Sequence, residues 1–338
     1  MIINSQKRSF GRGAKVSLFT LGTMRATESL EKMYSIIKNA YYVGINHIET
    51  APSYGDAESL IGNSIKKLAI EENIKEKNWV ITSKVLPKGD FDFLKNNFKK
   101  SLKNLNREKI NNLAIHGLNL KQHLDWVLAG EGKKFISWIL EKELVDQVGF
   151  SSHGSYSLIQ DAINCEVFTF CSLHLHYLDQ SKIALAEEAI KKGMGVLAIS
   201  PADKGGRLYS PSDILIEASK PFHPLELAYR FLLAKGITTL SLGATNKKDF
   251  EFAHKLRNSF EKLTKLEKSA LNKIEEVSNE RLNSTKCEQC RSCLPCPNEV
   301  PIPEILRLRN ISVGYGQLEF AKERYNLIGK AGHWWEEK

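Results

Sequence analysis

From about residue 15 to residue 257, short apolar runs alternate with longer stretches whose apolar residues recur every three or four positions. The short runs are KVSLFTLG, GINHIET, NWVITSK, INNLAIH, LVDQVGFS, VFTFCSLH, GVLAIS and ITTLSLG. Each contains β-branched or aromatic residues and stops at a polar or glycine-containing turn, which predicts a strand. Stretches such as SLEKMYSIIKNAYYVG and FDFLKNNFKKSLKNL carry helical spacing. Gly44 and Gly193 follow two such helices, where a left-handed residue closes the last turn. Strands alternating with helices in this way predict an α/β fold, a closed parallel (β/α)8 TIM barrel. An open doubly wound sheet is the alternative, but no GxGxxG follows the first run to cradle a dinucleotide phosphate.

Beyond the alternation the pattern changes. A further helix, LTKLEKSALNKIEEVSN, precedes a cysteine-rich segment, then PEILRLRNISVGYGQ and a polar tail holding Trp334 and Trp335. Residues 1–257 read as the barrel and 258–338 as a small C-terminal helical module. Alone, the module is too short for a large core, so it is expected to pack on the barrel or to need a cofactor.

Composition changes this picture little. The 338 residues are 42% apolar and 26% charged, ordinary for a soluble globular chain. No run is long enough to span a bilayer, and the polar, basic start MIINSQKRSFGRG lacks a signal-peptide pattern, so a cytoplasmic location is expected. The net charge of +9 comes from lysines scattered over helices such as SIKKLAIEENIKEK. Without an arginine cluster interleaved with aromatics, neither nucleic acid nor membrane is an expected partner.

The informative chemistry lies at strand ends. Glu49 and Tyr54 fall in HIETAPSYG, Lys84 ends WVITSK and His116 ends INNLAIH. In a (β/α)8 barrel these ends share one mouth. A carboxylate, a phenol, an ammonium and an imidazole there form a proton-donating site. A phenol with pKa about 10 donates weakly near neutrality, and a neighbouring cation favours its ionised form. Any one of these residues alone would more often be structural or solvated.

LGTMR, INHIETAPSYGDAESLIG, VITSK, LAIHG, VGFSSHG and SLGATNKKDFEFA occur in the order of the aldo-keto reductase motifs, and the chain resembles that family over roughly its first three quarters. The resemblance implies a barrel that holds NADP (or NAD) and reduces an aldehyde or ketone by hydride transfer. It makes Tyr54 the general acid, with Lys84 beside it, Glu49 holding Lys84, and His116 orienting the carbonyl. Glu49 stands where the family normally has aspartate. The resemblance also implies cofactor contacts from Thr23, Met24, Ser151, Ser152, Ser172, Ser200, Gly243, Ala244, Thr245 and Asn246. Ser152 departs from the common asparagine, Ser172 from a frequent glutamine, and Ile199 from a frequent aromatic. The family's arginine for a 2′-phosphate falls near Asp249, with Lys247 and Lys248 as substitutes. His174 and His176 share a strand face at a spacing that could ligate metal, but no third ligand is evident and a polar lining is the simpler reading.

Cys287, Cys290, Cys293 and Cys296 lie in CEQCRSCLPCP, while Cys165 and Cys171 are isolated. Such crowding points to metal or cluster ligation rather than disulfides. The run resembles ferredoxin-type [4Fe-4S] segments and, most closely, a subset of aldo-keto reductases that carry one after the barrel; zinc is the alternative. Hydride chemistry moves two electrons together and a cluster passes one. That assigns a cluster a structural or sensing role, or a contact to an electron-transfer protein. The departures at Glu49, Ser172 and Ile199 keep a second function open, a low-turnover nicotinamide-binding redox sensor or regulator.

Overall fold

The computed structural model describes residues 5–202, 206–290 and 292–328. Trp334, Trp335 and part of the AISPADKGGRL segment lie outside them. Eight parallel strands form a closed barrel: β1 (Phe19–Gly22), β2 (His47–Glu49), β3 (Val80–Val85), β4 (Ile110–Ile115), β5 (Val145–Ser152), β6 (Phe170–His174), β7 (Gly195–Ile199) and β8 (Thr239–Leu242), with β8 pairing back to β1. Each strand is almost wholly buried, because its outer side chains meet the helix layer and its inner ones fill the barrel. Gly44 and Gly193 take positive φ at helix ends, +87° and +78°, as the helical pattern requires.

The barrel floor departs from the sequence pattern. KVSLFTLG is two strands, not one: Val16–Ser17 pairs antiparallel with Lys7–Arg8, and the chain turns into β1 after Leu18. This ribbon lays Phe10, 0% exposed, under the barrel, 5.0 Å from the Phe170 ring and 5.4 Å from His47. Above it lies a buried polar layer. The His47 nitrogens bond the Thr20 and Thr82 hydroxyls at 2.7 Å each. Asn112 donates to Thr82 and accepts from Gln147. Burial without a partner would cost each of these groups, so the layer holds together as a closed network. It pins strand register directly beneath the mouth.

After β8, the helix Lys265–Leu282 starts at a Thr264–Glu267 capping box. It contributes Ala270, Leu271 and Ile274 to the main core, and Glu267 forms a buried ion pair with Arg230. Two further helices, Ile302–Arg309 and Leu318–Tyr325, share a small core of Leu308, Ile311, Phe320 and Ala321. They are tied to the barrel side by Ser212 donating to the Tyr315 carbonyl at 2.6 Å and by the Arg207–Glu323 ion pair. Among the described residues no helix is long and apolar enough to cross a membrane.

Candidate active site

Barrel register sets the site. Gly22, Glu49 and Thr82 lie side by side across β1, β2 and β3, and Lys84 lies two residues further along β3. Strand side chains alternate, so Lys84 follows Thr82 onto the inner face, one level nearer the mouth. Its side chain is 2% exposed, and all three ammonium hydrogens have partners: the Glu49 carboxylate, the Thr50 carbonyl at 2.9 Å and the Tyr54 hydroxyl at 3.0 Å. The extra methylene of Glu49 thus still reaches the lysine. The Lys84 nitrogen also stands 4.5 Å from the Tyr54 ring centre. His116, just past β4, meets the Tyr54 ring edge-on at 5.9 Å, and its backbone N–H donates to Val85.

Burial dominates the electrostatics. It pushes the Tyr54 phenol up to about 12 and the His116 imidazole down to about 3, the latter aided by the Lys84 and His153 charges. It also drives the Lys84 ammonium well below the usual lysine range, against which the Glu49 carboxylate favours the charged form. At neutral pH Tyr54 keeps its proton and His116 is neutral.

Tyr54, Lys84, Glu49 and His116 all line one cavity of about 470 Å³ at the carboxyl ends of the strands. Its volume suits a small-molecule site. Of the expected cofactor contacts, Thr23, Met24, Ser151, Ser200, Gly243 and Thr245 line it. Met24 is 63% exposed at the rim, and Ile199 also lines the wall. Ser152, Ser172, Ala244 and Asn246 do not line it. Ser152 donates to the Leu118 carbonyl, Ser172 is buried with no hydroxyl partner among the described residues, Ala244 is core, and Asn246 caps the turn Lys247–Phe250. Asp249 accepts from the Thr245 and Asn246 backbone N–H groups at 2.6 and 3.1 Å, so the amides that would meet a phosphate already hold a carboxylate. Arg25 and Lys248 line the same cavity, and a Cβ on Gly243 would meet Arg25 Cδ at 3.2 Å.

Sequence reading missed Tyr209, Tyr229, His223 and Phe252 on the cavity wall, and His153, whose ring centre is 4.3 Å from that of His174. All but His153 come from loops and helices with no strand-end signal. His153 follows Ser152 in SSHG, where its position beyond β5 was the available cue. Among the described residues no group of three or more His, Cys, Asp or Glu is placed to hold a metal. None of the four clustered cysteines forms a disulfide among the described residues; Cys287 accepts from Gln289 and Cys290 lies beside Ser292.

The Aldo/keto reductase family model matches residues 19–280. The chain belongs to the aldo/keto reductase family. An aldo-keto reductase of Strobilurus tenacellus is 25% identical over 214 residues, 60% of this chain. The match spans 61% of that relative's own length. Among solved structures, an aldo-keto reductase of Bacillus halodurans in its holo form aligns at TM-score 0.68 and 18% identity, covering 80% of this chain and 96% of that chain. An aldo-keto reductase of Bombyx mori in complex with NADP aligns at TM-score 0.62 and 19% identity, covering 80% and 92%. These neighbours share the barrel. In this family member the four candidate groups Glu49, Tyr54, Lys84 and His116 come from β2, the loop after it, β3 and the end of β4.

Proposed function

We propose that the protein reduces an aldehyde or ketone, with Tyr54 as general acid. The observation that carries this reading is the Tyr54 hydroxyl held 3.0 Å from a buried lysine at the edge of an open cavity. A bound nicotinamide dinucleotide, NADPH or NADH, would supply the hydride; the Bombyx mori neighbour is in complex with NADP. The cavity fits such a group: Thr23, Met24, Ser151, Ser200, Gly243 and Thr245 would hold it, with Arg25 and Lys248 as the nearby cations for phosphate. A 2′-phosphate would meet these side chains rather than the Thr245 and Asn246 amides, which Asp249 occupies.

The protein's own part is proton transfer and orientation. As the carbonyl carbon gains hydride, its oxygen becomes an alkoxide, a stronger base than phenolate, and takes the Tyr54 proton. The phenolate left behind sits against the Lys84 ammonium, which Glu49 and the Thr50 carbonyl fix in place. Neutral His116 donates an N–H to the same oxygen and aims it at Tyr54. Consumption of NADPH and NADH with a panel of aldehydes, in wild type and Tyr54→Phe, tests this. Equal rates at every substrate would leave instead a nicotinamide-binding protein of little turnover.

The appended-module reading of residues 258–338 and the [4Fe-4S] cluster stand as parts of the same proposal. For the cluster, the spacing of the four cysteines is the support. As folded, the thiols do not converge among the described residues, and no step of the reaction passes through them. Iron, sulfide and zinc quantitation after anaerobic purification separates cluster, zinc and free thiols.

A further inference from the structure

The floor end of the barrel carries a hollow of its own, of about 400 Å³, at the amino ends of β2 and β3. The cavity that holds Tyr54 and Lys84 lies at the carboxyl ends, so the two open on opposite sides of the barrel. Lys7 and Lys15 line the hollow from the N-terminal ribbon, and Lys77 from the turn Glu76–Asn78 before β3. No carboxylate is among the described residues that line it. We propose that this hollow binds an oligophosphate, a small anion of two or more linked phosphate groups, which bridges the ribbon to the barrel. The proposal is independent of the reductase reading.

The three ammonium groups are not spent elsewhere. Other surface lysines face carboxylates, as Lys109 does Asp146, Lys235 does Glu187 and Lys255 does Glu226. Lys7, Lys15 and Lys77 have no such ion pair among the described residues. The acids nearest Lys77 in the chain are engaged: Glu76 faces Arg107 at 4.0 Å, and Glu72 is held by Lys38. The end of the helix Leu30–Tyr42 does not call on these cations either. Its Asn39, Ala40 and Tyr41 carbonyls already accept from the Val43, Ile45 and Gly44 N–H groups at 2.9–3.1 Å.

The frame of the hollow is fixed by hydrogen bonds. Asn46 accepts from the Ser17 N–H at 2.7 Å and donates to the Lys15 carbonyl at 3.1 Å, which ties the ribbon to the entry of β2. Ser5 donates to the Gly44 carbonyl. Asn78 donates to the Tyr41 hydroxyl at 3.4 Å, leaving the phenol proton as a further donor. Three ammonium groups around one concavity repel one another, and the concavity focuses their field. An anion with several charges on one body relieves all three at once, where a halide or a single carboxylate relieves one. Lysine meets phosphate as a point charge with three donors and no acceptor. Because such a ligand binds only when ribbon and barrel are assembled, it stabilises the fold in proportion to its concentration.

Calorimetric titration of full-length protein with tripolyphosphate is expected to show binding that Lys15→Glu and Lys77→Glu each weaken at least tenfold. Lys99→Glu makes the same change of charge on the helix Phe91–Asn104, outside the hollow, and should stay within twofold of wild type. All three side chains are exposed. A second measurement uses wild type alone. Acetylation by acetic anhydride, read by mass spectrometry, should slow at least fivefold at Lys7, Lys15 and Lys77 with tripolyphosphate bound, and be unchanged at Lys99. Absence of binding to wild type, undiminished binding to either hollow variant, equal weakening by Lys99→Glu, or no protection of the three lysines would overturn the proposal. So would citrate binding as tightly as tripolyphosphate, which would assign the hollow to carboxylates. ATP binding at least tenfold tighter than tripolyphosphate would also overturn it, because a nucleoside would then be what is recognised.

Discussion

Replacing Lys84 by methionine tests the buried ion pair at the centre of the site. The side chains of Lys84 and Glu49 are 2% and 8% exposed, and Lys84 supplies the only cation in contact with that carboxylate among the described residues. Methionine keeps most of the volume but leaves Glu49 charged and dry, a loss of about 3–5 kcal/mol. The Thr50 carbonyl also loses its 2.9 Å donor, worth about 1 kcal/mol more. The expected fall in melting temperature is on the order of 10 °C. Adding Glu49→Gln removes the stranded charge and should restore about half of the lost stability, without restoring activity. Calorimetric or circular-dichroism melts of the two variants, beside carbonyl-reduction rates, make the comparison. A single variant within about 1 kcal/mol of wild type, or a double variant less stable than the single, would show that Glu49 does not depend on Lys84 for its charge.

Reduction should be nearly independent of pH between about 5 and 9, because Tyr54 stays protonated below its raised pKa of about 12 and His116 stays neutral above about 3. Alcohol oxidation needs the phenolate and should climb with pH over that range; a reduction profile breaking near 7 would contradict both assignments. His47, His116 and His176 are held neutral by burial at about 3, 3 and 4, so each contributes stability that is full above the unfolded value near 6.5 and lost as pH falls. Urea melts between pH 7 and pH 4.5 should lose stability at a rate approaching about 4 kcal/mol per pH unit, and a flat profile would refute burial of these rings. Phe10→Ala should cost about 3–5 kcal/mol despite lying in a polar N-terminal segment, read by the same melts, and a neutral effect would mean that the ribbon does not close the barrel floor. Asp249→Asn keeps the side chain's size but removes its charge beside the cavity, so fluorescence titration should show NADPH binding tighter by several-fold with NADH changed less; equal shifts for both would disconnect Asp249 from the 2′-phosphate.

The barrel was legible because each strand is a short apolar run ended by a polar residue, and the closure β8 to β1 follows from their number and alternation. Lys84 and Glu49 were legible for a related reason: a charge at the end of a buried strand has few places to go but the mouth. Alternation also explains where residue-by-residue transfer overreached. Ser151 and Ser152 are neighbours on β5, so only one can face the cavity, and Ser152 turns outward to the Leu118 carbonyl. The ribbon that carries Phe10 was not legible, because its strands are two residues each and show no periodicity. The aromatic wall of Tyr209, Tyr229 and Phe252, and the lysine-lined hollow at the barrel floor, arise when distant segments pack together, and no local pattern encodes that. The cysteine run is the converse case: its spacing is plain in the sequence, while among the described residues the thiols are not placed together to hold a metal.

The most direct measurement follows a labelled hydride. Wild type and Tyr54→Phe are incubated with a reducible aldehyde and NADPH or NADH carrying deuterium at the transferable position, and the product alcohol is analysed by mass spectrometry. A Tyr54 acid predicts deuterium on the carbinol carbon with wild type and a rate at least about a hundredfold lower with Tyr54→Phe. Product without deuterium, or equal rates for the two proteins, would contradict it.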